Sequence, residues 1–435
     1  MKKIIPLLFL YFLAGCTESS KKESKETTDE PYKISFDLEN LSDKGAPMMS
    51  DVIDSLEYIK LEYSNEFPIG IILDEKRPYI TDDYIFIYCS HGAGLLQYKR
   101  SGEFVRKIGS YGRGPGEYLQ LRGFVIDEKM GIVYTILNWR AVIAKYDYLS
   151  GKYLDEQPII DLNGKLMTMY NNNVASIYSL SDSEVFVNPS GTKRAQESKY
   201  NAFYTLDLSS GHIAKHKESR IYGLDNLGVN IQESAVLASI TNIVWYDSNN
   251  RLNFWESLND TVFVVNSDFT TTPRIIVDFG NYKLDVQTTL SVFDSAVYSS
   301  KLRILDRLCE SSRYIFFLFA FQNRYISTVY DKSTGNQNIL GSMSSDQFKI
   351  NNLFMGLYND IDGGFSNMMQ YDKDMWFRSY SATKMIDILT SEHFGDVKSK
   401  VKYPERLDKL KKFVSGLDEG DNPVFVIAHL KKSKQ

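Results

Sequence analysis

Histidine and cysteine are scarce in this chain, five and three among 435 residues, and that scarcity closes several routes to chemistry. Of His91, His212, His216, His393 and His429, only His212 and His216 are near neighbours, and a strand would set them on one face but far apart. No HExxH or Gly-x-Ser-x-Gly pattern occurs, and Asp147, Asp207 and Asp331 sit in turns that their capping role explains. The sequence therefore nominates no metal site, no cofactor and no catalytic residue. With Cys16 set aside, Cys89 and Cys309 are too few for a disulfide framework and read as buried free thiols. Clustered Lys and Arg are also missing, and at a net charge of −5 nucleic acid is excluded as a partner. No apolar run reaches the roughly 20 residues that a membrane-spanning helix needs.

The N-terminus carries an address. Lys2 and Lys3 precede an apolar run, Ile4–Ala14, too short to span, and Leu13-Ala14-Gly15-Cys16 follows. This order resembles the lipobox of bacterial lipoproteins. The resemblance implies a signal peptide over 1–16, a lipid on Cys16 and attachment to a membrane without any transmembrane helix. Thr17, in the place where Asp would mark retention at the inner membrane, implies the outer membrane; the leaflet stays open. Residues 17–31, TESSKKESKETTDEP, are polar and charged and read as a flexible tether, leaving 32–435 to fold.

What is abundant is aromatic: 29 Tyr and 25 Phe, a composition suited to pleated, half-buried strands. A turn of the form Tyr/Leu-Asp-x-Ser/Thr-Gly, preceded by an alternating apolar strand, ends at Gly102 (YKRSG), Gly151 (YDYLSG), Gly211 (LDLSSG) and Gly335 (YDKSTG). Weaker copies lie around Asn266 (VVNSDF) and Asp387 (MIDILTSE), so hairpins begin near Tyr98, Tyr146, Thr205, Val264, Tyr330 and Asp387, at intervals of 48, 59, 59, 66 and 57 residues. Ahead of each lies a strand-like run: YIFIY (84–88), IVYTI (132–136), VFVN (185–188), LNFW (252–255), YIFFLF (314–319) and MWF (375–377). FVID (124–127), ASIYSL (175–180) and IVWYD (243–247) add a further strand to their units. Six repeats of four short antiparallel strands predict an all-β fold, a six-bladed β-propeller.

Two helical departures are expected. VQTTLSVFDSAVYSSKLRILDRLCE, near 285–310, lacks alternation and spaces its apolar residues as a helix would. After Pro404, Leu407, Leu410, Phe413, Val414 and Leu417 recur at helical spacing and predict a short helix that packs on the domain, before the strand VFVIAHL (424–430). Ring closure calls for strands from both chain ends. ISFDL (34–38) and LEYIKL (56–61) both qualify at the N-terminus, and the sequence does not choose between them.

After the first hairpin comes KIGSYGRGPGEY (107–118), with Gly112, Arg113, Gly114, Pro115, Gly116, Glu117 and Tyr118 at its end. Together with the blade pattern around it and DNPVFVI near the C-terminus, it resembles the six-bladed β-propeller lipoproteins of gut anaerobes, whose roles are largely unassigned. A phosphate-binding reading of this glycine-rich loop fails, because no Gly-Lys-Ser/Thr follows and Pro115 removes an amide donor. The structural reading is an inter-blade crossing, with Glu117 expected to tie the loop to the neighbouring blade and Arg113 to pair with Glu117.

The sequence thus points to an extracytoplasmic, membrane-anchored binding or scaffold module with a protein or glycan ligand at a propeller face. The competing reading is a carbohydrate-active propeller enzyme, a lyase or glycosidase with groups scattered over several loops. Trp139, Trp245, Trp255 and Trp376 could stack on sugars, but at strand positions they read first as core.

Overall fold

The computed structural model describes residues 30–36, 44–63, 69, 77–89, 94–119, 121, 123–137, 139–167, 174–181, 183–189, 201–218, 242–256, 259–284, 299–344, 357–365, 369–372, 374–389 and 400–432. Cys16 and nearly all of the 17–31 segment lie outside them. Six small antiparallel sheets form a ring, a six-bladed β-propeller. Blade 1 runs through Tyr79–Ile80, Tyr84–Cys89, Gly94–Lys99 and Phe104–Ile108. Blade 2 comprises Phe124–Asp127, Ile132–Leu137, Val142–Asp147 and Tyr153–Pro158, and blade 3 Val174–Ser179, Glu184–Pro189, Asn201–Asp207 and Ile213–Glu218. Blade 4 holds Ile243–Tyr246, Leu252–Trp255, Thr261–Val265 and Thr271–Asp278, and blade 5 Arg303–Glu310, Tyr314–Phe321, Arg324–Asp331 and Gln337–Ser344. Blade 6 is built from both chain ends: Met369–Gln370, Met375–Tyr380, Val424–Leu430 and, outermost, Ile53–Lys60.

Period-two alternation explains why the sheets stack face to face. In blade 1, Phe86 and Leu95 point toward blade 2, into a cluster with Tyr118, Val133 and Tyr146. Their neighbours Ile85, Ile87, Leu96 and Tyr98 point the other way, into a cluster with Phe377, Phe425 and Ile427 of blade 6. Each blade is thereby buried on both faces, at roughly 1.5–3 kcal/mol per large apolar side chain. Cys89 and Cys309, in blades 1 and 5, are buried and not disulfide-bonded.

The recurrent hairpin glycines do more than turn the chain. Gly102, Gly151 and Gly211 all have positive φ, 89°, 70° and 72°. Each also abuts the end of the preceding blade's outer strand: a Cβ on Gly102 would collide with the Lys60 carbonyl, one on Gly151 would lie 2.8 Å from the Lys107 carbonyl, and one on Gly211 would collide with the Pro158 carbonyl. Hydrogen bonds cross the same seams, from Glu62 N to Gly102 O (2.8 Å) and from Ile160 N to Gly211 O (2.9 Å). The outer strands are therefore joined end to end. Blade 4 lacks the glycine, and Phe269 takes the positive φ, 66°. A Cβ on Gly335 of blade 5 would meet no described atom of the preceding blade; the nearest is its own blade's Tyr330 hydroxyl, 3.9 Å away.

That seam, between blades 4 and 5, is reinforced by the N-terminal segment instead. Tyr32–Ser35 pairs in parallel with Ile275–Asp278, as a fifth strand on blade 4. Phe36 then stacks on Phe279 and meets Phe317 and Phe319 of blade 5 edge-on. Farther along, the Lys44 carbonyl accepts from Asn338 of blade 5 (2.6 Å), and Met49–Val52 forms one helical turn before the ring-closing strand. Both N-terminal candidates are used, and only the second closes the ring.

Two expectations are corrected. Arg303–Glu310 is a strand, not part of a helix, and its pairing slips between Ile304 and Leu308; this bulge destroys the alternation that would have revealed it. Of the rest of that expected insertion, 285–298 lies outside the described residues. The supposed sixth hairpin at Asp387 is a helix, Ala382–Ile388, begun by Ser381, whose side chain accepts from Lys384 N. It belongs to a long connection inside blade 6 that also contains the expected helix Pro404–Val414, with Pro404 in its first turn and Leu410 and Val414 buried.

Candidate functional site

The first strands of neighbouring blades touch one another, which places them around the axis. Arg77 lies two residues before the first strand of blade 1, and its guanidinium stands 4.8 Å from the ring centre of Tyr178 and 5.5 Å from that of Tyr246. It also donates to the Tyr371 carbonyl at 3.0 Å. Tyr178, Tyr246 and Tyr371 belong to blades 3, 4 and 6. Blade 4 is diametrically opposite blade 1 in a ring of six, so a side chain can join the two only across the axis. Arg77 therefore lies across the axis at this level.

The tyrosines are fixed in turn. Tyr246 OH donates to the Ser179 carbonyl (2.8 Å), locking blade 4 to blade 3, and Tyr371 OH accepts from Ile80 N (2.9 Å), locking blade 6 to blade 1. Burial raises the Tyr246 and Tyr371 hydroxyls above their ordinary value, so both stay neutral donors at physiological pH. No spacing rule could have linked Arg77 to these rings; the four residues are spread over 295 positions.

Beside this plug, at the ring end that carries the turns between first and second strands, a cavity of about 200 Å³ opens between blades 1, 2 and 3. Tyr79, Asp127, Glu128, Lys129, Ser179 and Ser181 supply its polar wall, and Val125, Ile126 and Leu208 its apolar one. Burial, with Asp82 and Asp83 nearby, raises the Glu128 carboxyl above its ordinary value. Neutral hydroxyls, carboxylates and one ammonium around a small apolar floor suit a polar ligand or side chain.

The GRGPGEY loop is an inter-blade crossing. Ser110–Tyr111 pairs with Glu117–Tyr118 in a two-residue parallel ladder. The Glu117 carboxylate accepts from Gly114 N (2.7 Å), closing the loop on itself, and Arg113 does not figure among its hydrogen-bond partners. The connection to the blades runs through Tyr118, which is buried. Its hydroxyl donates to the Ile108 carbonyl (2.7 Å) and accepts from Leu95 N (2.9 Å). Gly116 presents its carbonyl to Tyr146 OH (3.3 Å), and a Cβ there would press on Tyr153 at 2.6 Å. Pro115 and Gly112 shape the turn, the latter closing on the Tyr118 carbonyl.

Buried carboxylates elsewhere are committed to internal partners. Glu310, fully buried in blade 5, accepts from Trp245 Nε1 (3.0 Å), Arg274 (3.0 Å) and Lys332 (2.9 Å). Burial alone would raise its carboxyl, but Arg274 and Lys332 outweigh that and hold it below the ordinary range. Asp360 accepts from Ser50 N (2.8 Å) and pairs with Lys402 (2.8 Å). Asp362 accepts from Tyr58 OH (2.8 Å), Asn359 (2.9 Å) and Gly364 N (2.9 Å). Asp360 and Asp362 hold the segment between blades 5 and 6 against the ring-closing strand, the helical turn ahead of it and the residues just before helix Pro404–Val414. Among the described residues no group of His, Cys, Asp and Glu has the arrangement of a metal site. Trp245, Trp255 and Trp376 are core residues, and Trp139 packs at the blade 1–2 interface with Arg140 over its ring.

Solved structures are similar to this chain to differing degrees. A Bacteroides fragilis protein whose given name calls it exported aligns over 92% of this chain and 100% of its own, at 14% identity and a TM-score of 0.61. A Bacteroides vulgatus member of the DUF4221 family aligns over 87% and 97%, at 10% identity and a TM-score of 0.47. A streptogramin B lyase aligns over 66% and 72%, at 12% identity and a TM-score of 0.32, a likeness too low to carry an activity. No curated protein matches the sequence. The family model for DUF4934, a domain of unknown function, matches residues 33–429, and the chain belongs to that family.

Proposed function

We propose that the protein is an exported lipoprotein, anchored through Cys16 at the outer membrane, whose propeller binds a protein or glycan ligand and does not transform it. The observation that carries this reading is the axial plug. Arg77 and the tyrosines of three blades occupy the place where a propeller enzyme would gather reactive groups, and leave a shallow cavity of about 200 Å³ beside it. The buried carboxylates described above serve joints between blades, which further supports a scaffold. The exported neighbour and the lipobox-like Leu13–Cys16 support the address.

The test pairs a pull-down of the tagged, lipidated protein from solubilised envelopes with a glycan screen of the soluble form. A stable partner or bound glycan, weakened by Glu128→Gln or Ser181→Ala in the cavity, is the expected result. Turnover of any glycan would replace this reading with an enzyme. Membrane retention of a Cys16→Ser variant would remove the anchor.

A further inference from the structure

A ring closed by its N-terminal strand depends on that strand, for without Ile53–Lys60 blade 6 keeps three strands and bares the edge of Val424–Leu430. Here the closing strand is also the first in chain order of the strands that make up the six four-stranded blades, so it follows Cys16 more closely than any other of them. Any pull arriving from a membrane anchor would reach it first, were nothing placed between. Tyr32–Phe36 is placed between.

We infer that Tyr32–Phe36 is a mechanical clasp that takes up tension from the N-terminal side before it reaches the ring-closing strand. The pairing is parallel, Tyr32 opposite Ile275 through Ser35 opposite Asp278, and Phe36 N extends the ladder to the Asp278 carbonyl at 2.9 Å. A strand drawn along its own axis from its N-terminal end loads those bonds together, in shear, and does not unzip them one at a time. The far end is a knot. Phe36, 3% exposed, stacks on Phe279 with ring centres 5.6 Å apart and meets Phe317 and Phe319 edge-on at 5.6 and 5.2 Å. Ile34 is buried in the same cluster. Residues beyond the knot can be drawn out only after an aromatic side chain leaves a packed core for water.

The position of the clasp is informative too. It lies on the seam where a Cβ on the hairpin glycine, Gly335, would meet no described atom of the preceding blade, so the clasp adds a joint where the glycine contact of the other seams is missing. Beyond it, the Lys44–Asn338 hydrogen bond and the Met48–Tyr358 bridge are second and third holds before Ile53.

The biological use of the clasp rests on the lipid reading of Cys16, but its mechanics do not, and the two are tested apart. The full mature chain with Cys16→Ser is held in magnetic tweezers by its N-terminus and by a label on Leu154→Cys, in the exposed outer strand of blade 2. Two extensions are expected at constant force, release of the clasp and then opening of the ring. Phe36→Ala should shorten the dwell before the first by at least about tenfold and leave the second unchanged. If Phe36→Ala fails to fold, Ile34→Thr is read in the same way. A single extension, or an unchanged first dwell in the variant that folds, would overturn the clasp. Fractionation of Cys16→Ser cells judges the anchor independently.

Discussion

Arg77 and Tyr246, 169 positions apart in sequence and on opposite blades, meet across the propeller axis with the guanidinium 5.5 Å from the ring centre. Two rings and one carbonyl hold the cation there, and the Asp372 carboxylate lies within its electrostatic reach. A desolvated cation–π contact contributes about 0.5–2 kcal/mol.

Arg77→Ala should therefore lower thermal stability by a few degrees, and Arg77→Lys, which keeps a charge but not the planar stack, should recover part of the loss. Calorimetry of the three proteins checks this. An alanine variant as stable as the parent would mean that the blades hold the axis closed without the arginine.

The crossing loop makes a comparison between neighbours. Tyr118→Phe strands both the Ile108 carbonyl and the Leu95 amide in a buried place, a loss of about 2–4 kcal/mol. Glu117→Ala opens one partly exposed bond to Gly114 and should cost about 1 kcal/mol. Urea unfolding of both variants gives the order, and a larger effect at Glu117 would reassign the tie.

Hairpin glycines should separate by seam. Gly211→Ala adds a collision with the Pro158 carbonyl to the strain of a positive φ, whereas Gly335→Ala meets only the strain. That strain is about 1–2 kcal/mol, and Gly211→Ala should exceed it clearly in the midpoint of chemical unfolding. Equal losses would show that the end-to-end contacts yield at little cost.

Acid should act through Glu310. Its folded-state carboxyl lies below the ordinary 4.5, since Arg274 and Lys332 overcome the effect of burial. The stabilisation is then complete above the unfolded value and is lost as pH falls below about 4.5 through the folded one. Glu310→Gln should remove that part of the acid dependence and cost about 3–5 kcal/mol at neutral pH, because Arg274 and Lys332 lose a buried counter-charge. A pH series of melts on both proteins tests it.

The repeat was legible because alternation is a local property. Tyr84–Cys89, Ile132–Leu137 and Tyr314–Phe321 announce themselves in single stretches of apolar residues. Arg303–Glu310 did not, since its bulge breaks the period, and Met385 with Ile388 at helical spacing hid behind a turn-like sequence. Gly112–Tyr118 was recognisable as a crossing, but which side chain does the tying was not. Tyr118 owes its role to Gly94, whose missing side chain leaves room for the hydroxyl from another part of the chain. The axial site was invisible for a stronger reason: Arg77, Tyr178, Tyr246 and Tyr371 become neighbours only once the ring exists.

Blade 6 also sets the order in which the chain can assemble. Ile53–Lys60 is synthesised early, yet its partner Val424–Leu430 emerges last, after every other strand. Until then Gly102 has no Lys60 carbonyl to rest on, and blade 1 presents a bare flank. Among the described strand pairs, the longest loop closure is thus the one that completes the ring, and the entropy of bringing its ends together falls on what looks, in the finished ring, like an ordinary edge.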